Sequence, residues 1–526
     1  MRRVANSIWL SGLVSFAALF LVSGAWSIAT PLSASPDEPS HIIKAAAVVR
    51  GELVGKPLPQ SGYTEVRVPS AEGDAWLWTC FAFYPNKSAS CQGTPPGSSA
   101  IVTAKTSAGL YNPVYYALVG WPSLLFSEPH AVVFSMRLLT ALLCSALLAV
   151  AVAALFAFRR SAVAGAAALA IATPTTMFLS GSVNPNAVEI AAGAALLALL
   201  LLLVRGPELQ RRRTVLVLIA VTGVLLANTR ALSPLWMLLI VIIALVAADP
   251  ERLRELFRRP AVWVTIGVVG IGVIASVLWT MRVGVLSGFG HFPGQDVSPS
   301  GAFIAMILDR SFDRGMIGLF GWLDTPAPPF VIAFGTLLAM GTAVAALIVA
   351  RGRLLAAVLV AVAGYLLVPA VTQALSIRQS GYIWQGRYSL IAYACVLVIS
   401  AVAIAGPASQ PGARPGPARA GVIVPRHLLL RGVITLGGLA ALAQTLSIAG
   451  ALRRYAVGEA GTWSYFILAP QWQAPGSNIL WIVVALAGSG LFVWLWAARV
   501  AAETVSPRTP DTSESTDSPE YRAEAR

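Results

Sequence analysis

The sequence predicts an all-α integral membrane protein with about twelve transmembrane helices and a long first extracytoplasmic loop. Three observations carry that expectation. Of 526 residues, 57% are hydrophobic and 11% charged, whereas soluble domains carry roughly 25% charged residues, so the chain has too little polar surface to clothe soluble domains of this total length. Apolar runs of about 20 residues, the length that crosses a hydrocarbon core, recur along it. Between alternate runs lie arginines, and they gather on one side of the membrane.

The runs fit spans near 7–29, 131–157, 161–181, 186–204, 213–228, 234–248, 261–281, 329–350, 354–375, 388–405, 428–450 and 477–498. The first is expected to stay as a helix, because no small-residue cleavage site follows Met1 to Arg3 and Ser7 to Ile28 is long enough to span. Arg2, Arg3, Arg159, Arg160, Arg205, Arg211 to Arg213, Arg252 to Arg259, Arg351, Arg353, Arg414 to Arg431 and Arg499 all fall on one side. The positive-inside rule makes that side cytoplasmic and puts both termini there. The formal net charge of +14 is therefore a topology signal, and nucleic acid is not an expected partner.

The opposite side carries loops at 30–130, 283–328, 376–387 and 451–476. In the first, Ser35-Pro36-Asp37-Glu38 has a capping-box pattern with Pro36 at a tolerated first-turn position, which predicts a helix through Val49. Cys80 and Cys91 share this loop, on the side where disulfides persist, and are expected to be bonded. The aromatic stretch from Trp76 to Cys91 would then form a hairpin closed by that bond. Cys144 and Cys395 fall inside spans and read as small core residues. Pro113 to Phe126 is apolar but too short to cross, so it is expected to lie in the interface or re-enter. Gly406 to Ala420 reads as a flexible cytoplasmic linker. The polytopic domain is expected over 1–500, with a disordered, Ser-, Thr-, Pro- and acid-rich tail at 501–526.

Three groups of polar residues could carry chemistry. The Asp37-Glu38 pair lies within a few residues of the first span, and helical spacing lets His41 and Lys44 share its face. Adjacent carboxylates at a membrane surface can act as general base or hold a divalent cation, or they can simply favour a helix N-terminus. Asn184, Asn186 and Glu189 open the fourth span. A carboxylate at that depth costs a few kcal/mol unless paired, and Arg137 is the expected partner. Arg230, Arg378 and Arg387 sit on the side the charge rule leaves poor in arginine, and a guanidinium fork matches phosphate geometry. Tyr388 beside Arg387 is placed to face a lipid or a sugar ring. No Walker loop, His/Cys metal spacing, nucleophile elbow or dinucleotide fingerprint occurs.

At Asp37-Glu38-Pro39-Ser40-His41, at Asn184-Pro185-Asn186 through Glu189, and at Gln385-Gly386-Arg387-Tyr388, the chain resembles the bacterial membrane proteins catalogued as domain of unknown function 2142 and grouped with the GT-C glycosyltransferase superfamily. The resemblance runs from the first to the twelfth span, and the cysteine pair fits it. It implies a GT-C-like fold in a bacterial cytoplasmic membrane. The implied activity is transfer of a sugar from a polyprenyl-phosphate carrier to an envelope glycan or lipid acceptor. By the same resemblance, Asp37 would be the base or metal-side acid and Glu38 its neighbour, while Arg230 and Arg387 would meet the carrier phosphate. The reading requires no cofactor and leaves room for a divalent cation, Mg or Mn, for which Asp37 and Glu38 are the candidate ligands. The chain departs from many members of the superfamily in lacking a large soluble C-terminal domain. Two rival readings use the same features differently. A lipid-linked glycan transporter or flippase would place its polar residues near the midplane, and a non-catalytic envelope-assembly protein would leave the acid pair incidental.

Overall fold

The computed structural model describes residues 7–59, 61–158, 160–207, 211–285, 292–406 and 425–503. The first span is α1 (Ile8–Ala29), and α2 (Glu38–Val48) follows it across a short turn. The first loop then contributes β1 (Lys56–Pro57), β2 (Thr64–Pro69), β3 (Ile101–Thr106) and α3 (Pro113–Val119). After it come α4 (Pro129–Phe156), α5 (Ser161–Ile171), α6 (Pro174–Ser180), α7 (Pro185–Arg205), α8 (Arg212–Ala227), α9 (Ser233–Ala247), α10 (Pro250–Phe257) and α11 (Pro260–Val283). The second large loop holds α12 (Pro299–Asp309) and the short antiparallel pair β4 (Leu319–Phe320) and β5 (Thr325–Pro326). The chain closes with α13 (Pro329–Val349), α14 (Gly352–Ser380), α15 (Gly386–Ala405), α16 (Arg426–Val457), α17 (Trp463–Leu468) and α18 (Asn478–Glu503). Many of these helices open on proline, whose missing N–H costs nothing in a first turn.

Among the described residues nine helices are long and apolar enough to span a membrane, or up to eleven if each of two bent pairs is one span. Twelve were expected. The difference has two sources. The expected span at 161–181 is α5 and α6, bent by 63° at Thr173-Pro174, and α9 turns by 118° into α10. The span expected at 213–228 is α8, whose 16 residues rise only about 24 Å, less than the roughly 30 Å of a hydrocarbon core. Arg2, Arg3 and Arg159 of the basic side, residues 407–420 of the expected linker, and 504–526 of the expected tail lie outside the described residues.

The bundle has one central helix. In α7, 94% of the best apolar window is buried, and it packs against α4, α15, α8 and α9. Gly193 makes the close approach of α15 possible, since a Cβ there would stand 2.6 Å from Ile391. By contrast, α11 is apolar all round yet mostly exposed, with Ile271 at 70% and Met281 at 76%, which is the pattern of a lipid-facing helix.

The first loop is α/β and not purely helical. β2 pairs antiparallel with both β1 and β3, with Val66 opposite Ala104 and Val68 opposite Val102. α2 packs on this sheet. The Cys80–Cys91 disulfide forms as expected. It joins two 3-10 turns, Ala75–Thr79 and Ala89–Gln92, and the expected hairpin at 76–91 is absent. Pro113 to Phe126 forms α3 and a further 3-10 turn, leaving Leu124, Leu125 and Phe126 exposed at the rim.

Candidate active site

The turn from α1 into α2 is set by one buried ion pair. Arg137 of α4 donates from Nε to Glu38 Oε1 (2.8 Å) and from Nη2 to Glu38 Oε2 (2.7 Å), and neither side chain has any exposure. Its remaining donors go to the carbonyls of Ser27 (3.1 Å), Thr30 (2.9 Å) and Pro31 (2.7 Å). Glu38 also accepts from the Val183 N–H (3.0 Å) and the Ser35 N–H (3.4 Å). A buried pair of this kind holds only when every donor and lone pair is matched, and here all are. Two expectations are corrected. Glu38 is sealed away from any substrate, and Arg137 pairs with it and not with Glu189.

Asp37 turns the other way. The helix begins at Glu38, one residue after Asp37, so the expected box capped by Ser35 is only half formed, and the Ser35 Oγ has no partner. Asp37 sits at the N-cap in the left-handed region (φ 65°, ψ −2°) and its side chain caps nothing. That conformation costs on the order of 1–3 kcal/mol for a residue other than glycine, and it aims the carboxylate outward. Oδ2 accepts from Arg387 Nη2 at 2.5 Å, with the Asp37 side chain 43% exposed and that of Arg387 4%. Burial alone would raise the Asp37 pKa. The Arg387 guanidinium, with Arg230, outweighs it and holds the carboxyl below its ordinary value.

His41, one turn on, is buried and shares a hydrogen bond of 2.9 Å between Nδ1 and the Tyr116 hydroxyl, with the Tyr111 ring 6.0 Å away. Burial pushes its pKa down to about 3 against the opposing pull of Asp37, so the imidazole is neutral at physiological pH. Lys44 leaves the shared face that its spacing suggested. Its buried ammonium donates to the carbonyls of Leu53 (2.6 Å) and Gly109 (2.7 Å), away from Asp37, and fastens the loop.

The cationic residues come from distant parts of the chain. Arg387, at the start of α15, also donates to Pro36 O (3.3 Å) and to the Tyr388 hydroxyl (3.1 Å). Arg230, in the turn between α8 and α9, lies 4.5 Å from the centroid of the Tyr388 ring, and Arg387 lies 5.0 Å from it. Arg230 Nη1 meets Glu189 Oε2 at 3.2 Å, and Glu189 accepts as well from Ser233 Oγ (2.7 Å) and Asn186 Nδ2 (3.3 Å). Asn184 caps α7 through the Asn186 N–H (3.0 Å) and donates to Pro36 O at 3.4 Å. Asn184, Asn186 and Glu189 are therefore brought to the cluster as the support beneath Arg230. Arg378 is not. It is exposed in the last turn of α14 and forms no ion pair among the described residues.

The structure adds Tyr111, Tyr116 and Ser233 to the group. Tyr111 is close enough to Arg230, Tyr388 and Asp37 for all three to act on its hydroxyl, whose pKa burial raises. The only sequence signal for the tyrosines is Tyr111-Asn112-Pro113, where Asn112 caps α3 and Pro113 starts it. The expected divalent cation does not fit the pair as arranged. The two carboxylates point apart, each against its own arginine, and among the described residues no group of three or more His, Cys, Asp or Glu could hold a metal. What remains is an ionised, half-exposed carboxylate beside two guanidiniums that share a tyrosine ring. That arrangement can accept a proton and bind a phosphate.

The profile of a family described as "Predicted membrane protein (DUF2142)" matches residues 20–394, a stretch that includes the whole cluster. No curated protein matches the chain. The crystal structure of ArnT from Cupriavidus metallidurans in the apo state is similar over 95% of this chain and 78% of its own, with 15% identity and a TM-score of 0.45. The crystal structure of the same protein bound to undecaprenyl phosphate is similar over 93% of this chain and 77% of its own, with 14% identity and a TM-score of 0.45.

Proposed function

The chain belongs to the DUF2142 family of membrane proteins, and on that premise we propose that it is a glycosyltransferase of a bacterial cytoplasmic membrane, moving a sugar from a polyprenyl-phosphate carrier to an envelope glycan or lipid acceptor on the outer face. The observation that carries the reading is the half-exposed Asp37 carboxylate 2.5 Å from Arg387, in a backbone conformation that its own side chain does nothing to stabilise.

The proposed chemistry uses what this cluster holds. An acceptor hydroxyl attacks the anomeric carbon, the bond from that carbon to the carrier phosphate oxygen breaks, and the hydroxyl proton passes to Asp37. With a depressed pKa, Asp37 takes the proton late, once the new bond has made the hydroxyl acidic. The departing phosphate gains negative charge, and Arg387 and Arg230 are pre-placed to meet it. Tyr388 keeps the two guanidiniums together by cation–π contact. Displacement in one step inverts the anomeric centre. His41, neutral and bonded to Tyr116, positions the Asp37 turn and takes no proton.

The test is incubation of the purified protein in lipid with labelled polyprenyl-phosphate sugars, with envelope glycans of a deletion strain as the acceptor pool. Transfer of label into the glycan fraction supports the reading. No transfer from any carrier-linked sugar, by protein shown to be folded, argues against it.

A further inference from the structure

Arg387 has a second neighbourhood that the proposed transfer does not use. Together with Gln385, Arg310, Asp313 and Arg314 it lines a cavity of about 250 Å³ to which Asp37 does not contribute. The wall is built and not incidental. Thr173 Oγ1 donates to Met316 O (2.9 Å), the Thr175 N–H to Ile317 O (3.2 Å), and the Leu319 N–H to Thr175 Oγ1 (3.2 Å), which pins the second large loop to α6. Gly386 lets Asp313 close on α15, since a Cβ there would stand 2.9 Å from the Asp313 carboxyl carbon.

Two features point to an anion. The buried Arg387 Nε lacks a hydrogen-bond partner, and a buried donor without a partner is costly unless a ligand or water supplies one. Arg310 and Arg314 are exposed at the cavity and form no ion pair among the described residues. Asp313, the one carboxylate of the lining, accepts from the Gly315 N–H at 2.6 Å, and its charge is outnumbered by the three arginines of the same wall. The segment that carries Arg310 and Arg314 is apolar at its surface as well. Ile304, Leu308 and Phe312, four residues apart along α12 and just past it, are 55%, 74% and 67% exposed, which suits a rim lying in the membrane interface.

We propose that this cavity is a second anion subsite, which takes the phosphate or carboxylate headgroup of a membrane-borne substrate, Arg310 and Arg314 supplying the charge. It rests on the transferase reading only for its use, making the acceptor itself anionic and lipid-anchored. Binding is testable without transfer.

The protein in neutral-lipid nanodiscs is titrated with dodecyl phosphate, with inorganic phosphate and with dodecyl maltoside, and thermal stabilisation is followed. Dodecyl phosphate should stabilise the parent, the maltoside should not, and Arg310→Gln/Arg314→Gln should bind dodecyl phosphate about tenfold or more weakly. Inorganic phosphate binding as tightly as dodecyl phosphate, with the same arginine dependence, would place a soluble anion in the cavity and refute the membrane-borne source. Unchanged binding in the double variant, with loss only in Arg230→Gln, would put the probe at the carrier-phosphate group and overturn the second subsite. Because the titration needs no sugar, absence of glycosyl transfer would defeat the proposed function and leave this result standing.

Discussion

Two neighbouring carboxylates meet opposite fates, and one backbone angle decides which is which. Both Asp37 and Glu38 are legible in the sequence as candidates, yet their adjacency does not say which of them faces the core. The left-handed turn at Asp37 sends Glu38 into the core and Asp37 to the surface, and nothing in the order of residues announces it. The pairing of charges was equally hidden, because Arg137 is 99 residues from Glu38 and Arg387 is 350 from Asp37. Glu38→Gln should leave the Arg137 guanidinium buried and uncompensated, a loss of roughly 3–5 kcal/mol. Thermal unfolding in detergent would register it as a sharply less stable protein. Near-parental stability would mean that the pair is not buried as described. Arg387→Lys keeps the charge but loses the fork that reaches Pro36 O, Tyr388 and Asp37 together. Weaker binding of the lipid carrier is expected at unaltered expression, and full activity would remove Arg387 from the site.

His41 gives a prediction in pH. Its folded pKa of about 3 lies below the unfolded value near 6.5, so between them the unfolded chain binds the extra proton. The stability contributed is complete above about pH 6.5 and falls away as the pH drops towards 3. Asp37, with its pKa lowered, stays ionised over the same neutral range. Transfer measured between about pH 6 and 8 should therefore show no inflection from the imidazole. A step near 6.5 that vanishes in His41→Gln would make His41 a proton carrier after all.

At the scale of elements, long apolar runs were easy to read and short mixed ones were not. The spans announced themselves because lipid requires an uninterrupted apolar length. β2 has six residues and β1 two, too little alternation to stand against a helical reading of the loop. The proline-started helices hid their bends, since a proline that opens one helix also ends the one before it. α5 and α6 break at such a point and bring Thr173 and Thr175 to the second loop. The Cys80–Cys91 bond, closed over a separation of 11 residues, ties the two 3-10 turns beside α2. Replacing both cysteines with serine should cost roughly 2–3 kcal/mol, read as a lower unfolding temperature. No change would show that the fold around Asp37 holds without the bond.

The whole molecule gathers its polar chemistry at one end of an apolar bundle. Asp37, Arg230, Glu189 and Arg387 come from four separate stretches of chain and meet where α7 and α15 begin and α8 ends. The proposed function needs this end outside the cell, as the charge pattern of the sequence leads one to expect, and non-reducing mass spectrometry on protein from native membranes tests it. A linked Cys80–Cys91 peptide is expected, and two free thiols would put the loop in the cytoplasm. The central claim is that Asp37 accepts the acceptor's proton. Asparagine tolerates the left-handed conformation that Asp37 adopts, so Asp37→Asn should fold as the parent does and change only the chemistry. The deciding measurement is the rate of sugar transfer from the lipid carrier by Asp37→Asn and by the parent in the same membrane preparation. The account predicts a loss of roughly 10²–10⁴-fold; transfer at the parental rate would contradict it and reduce Asp37 to a turn residue.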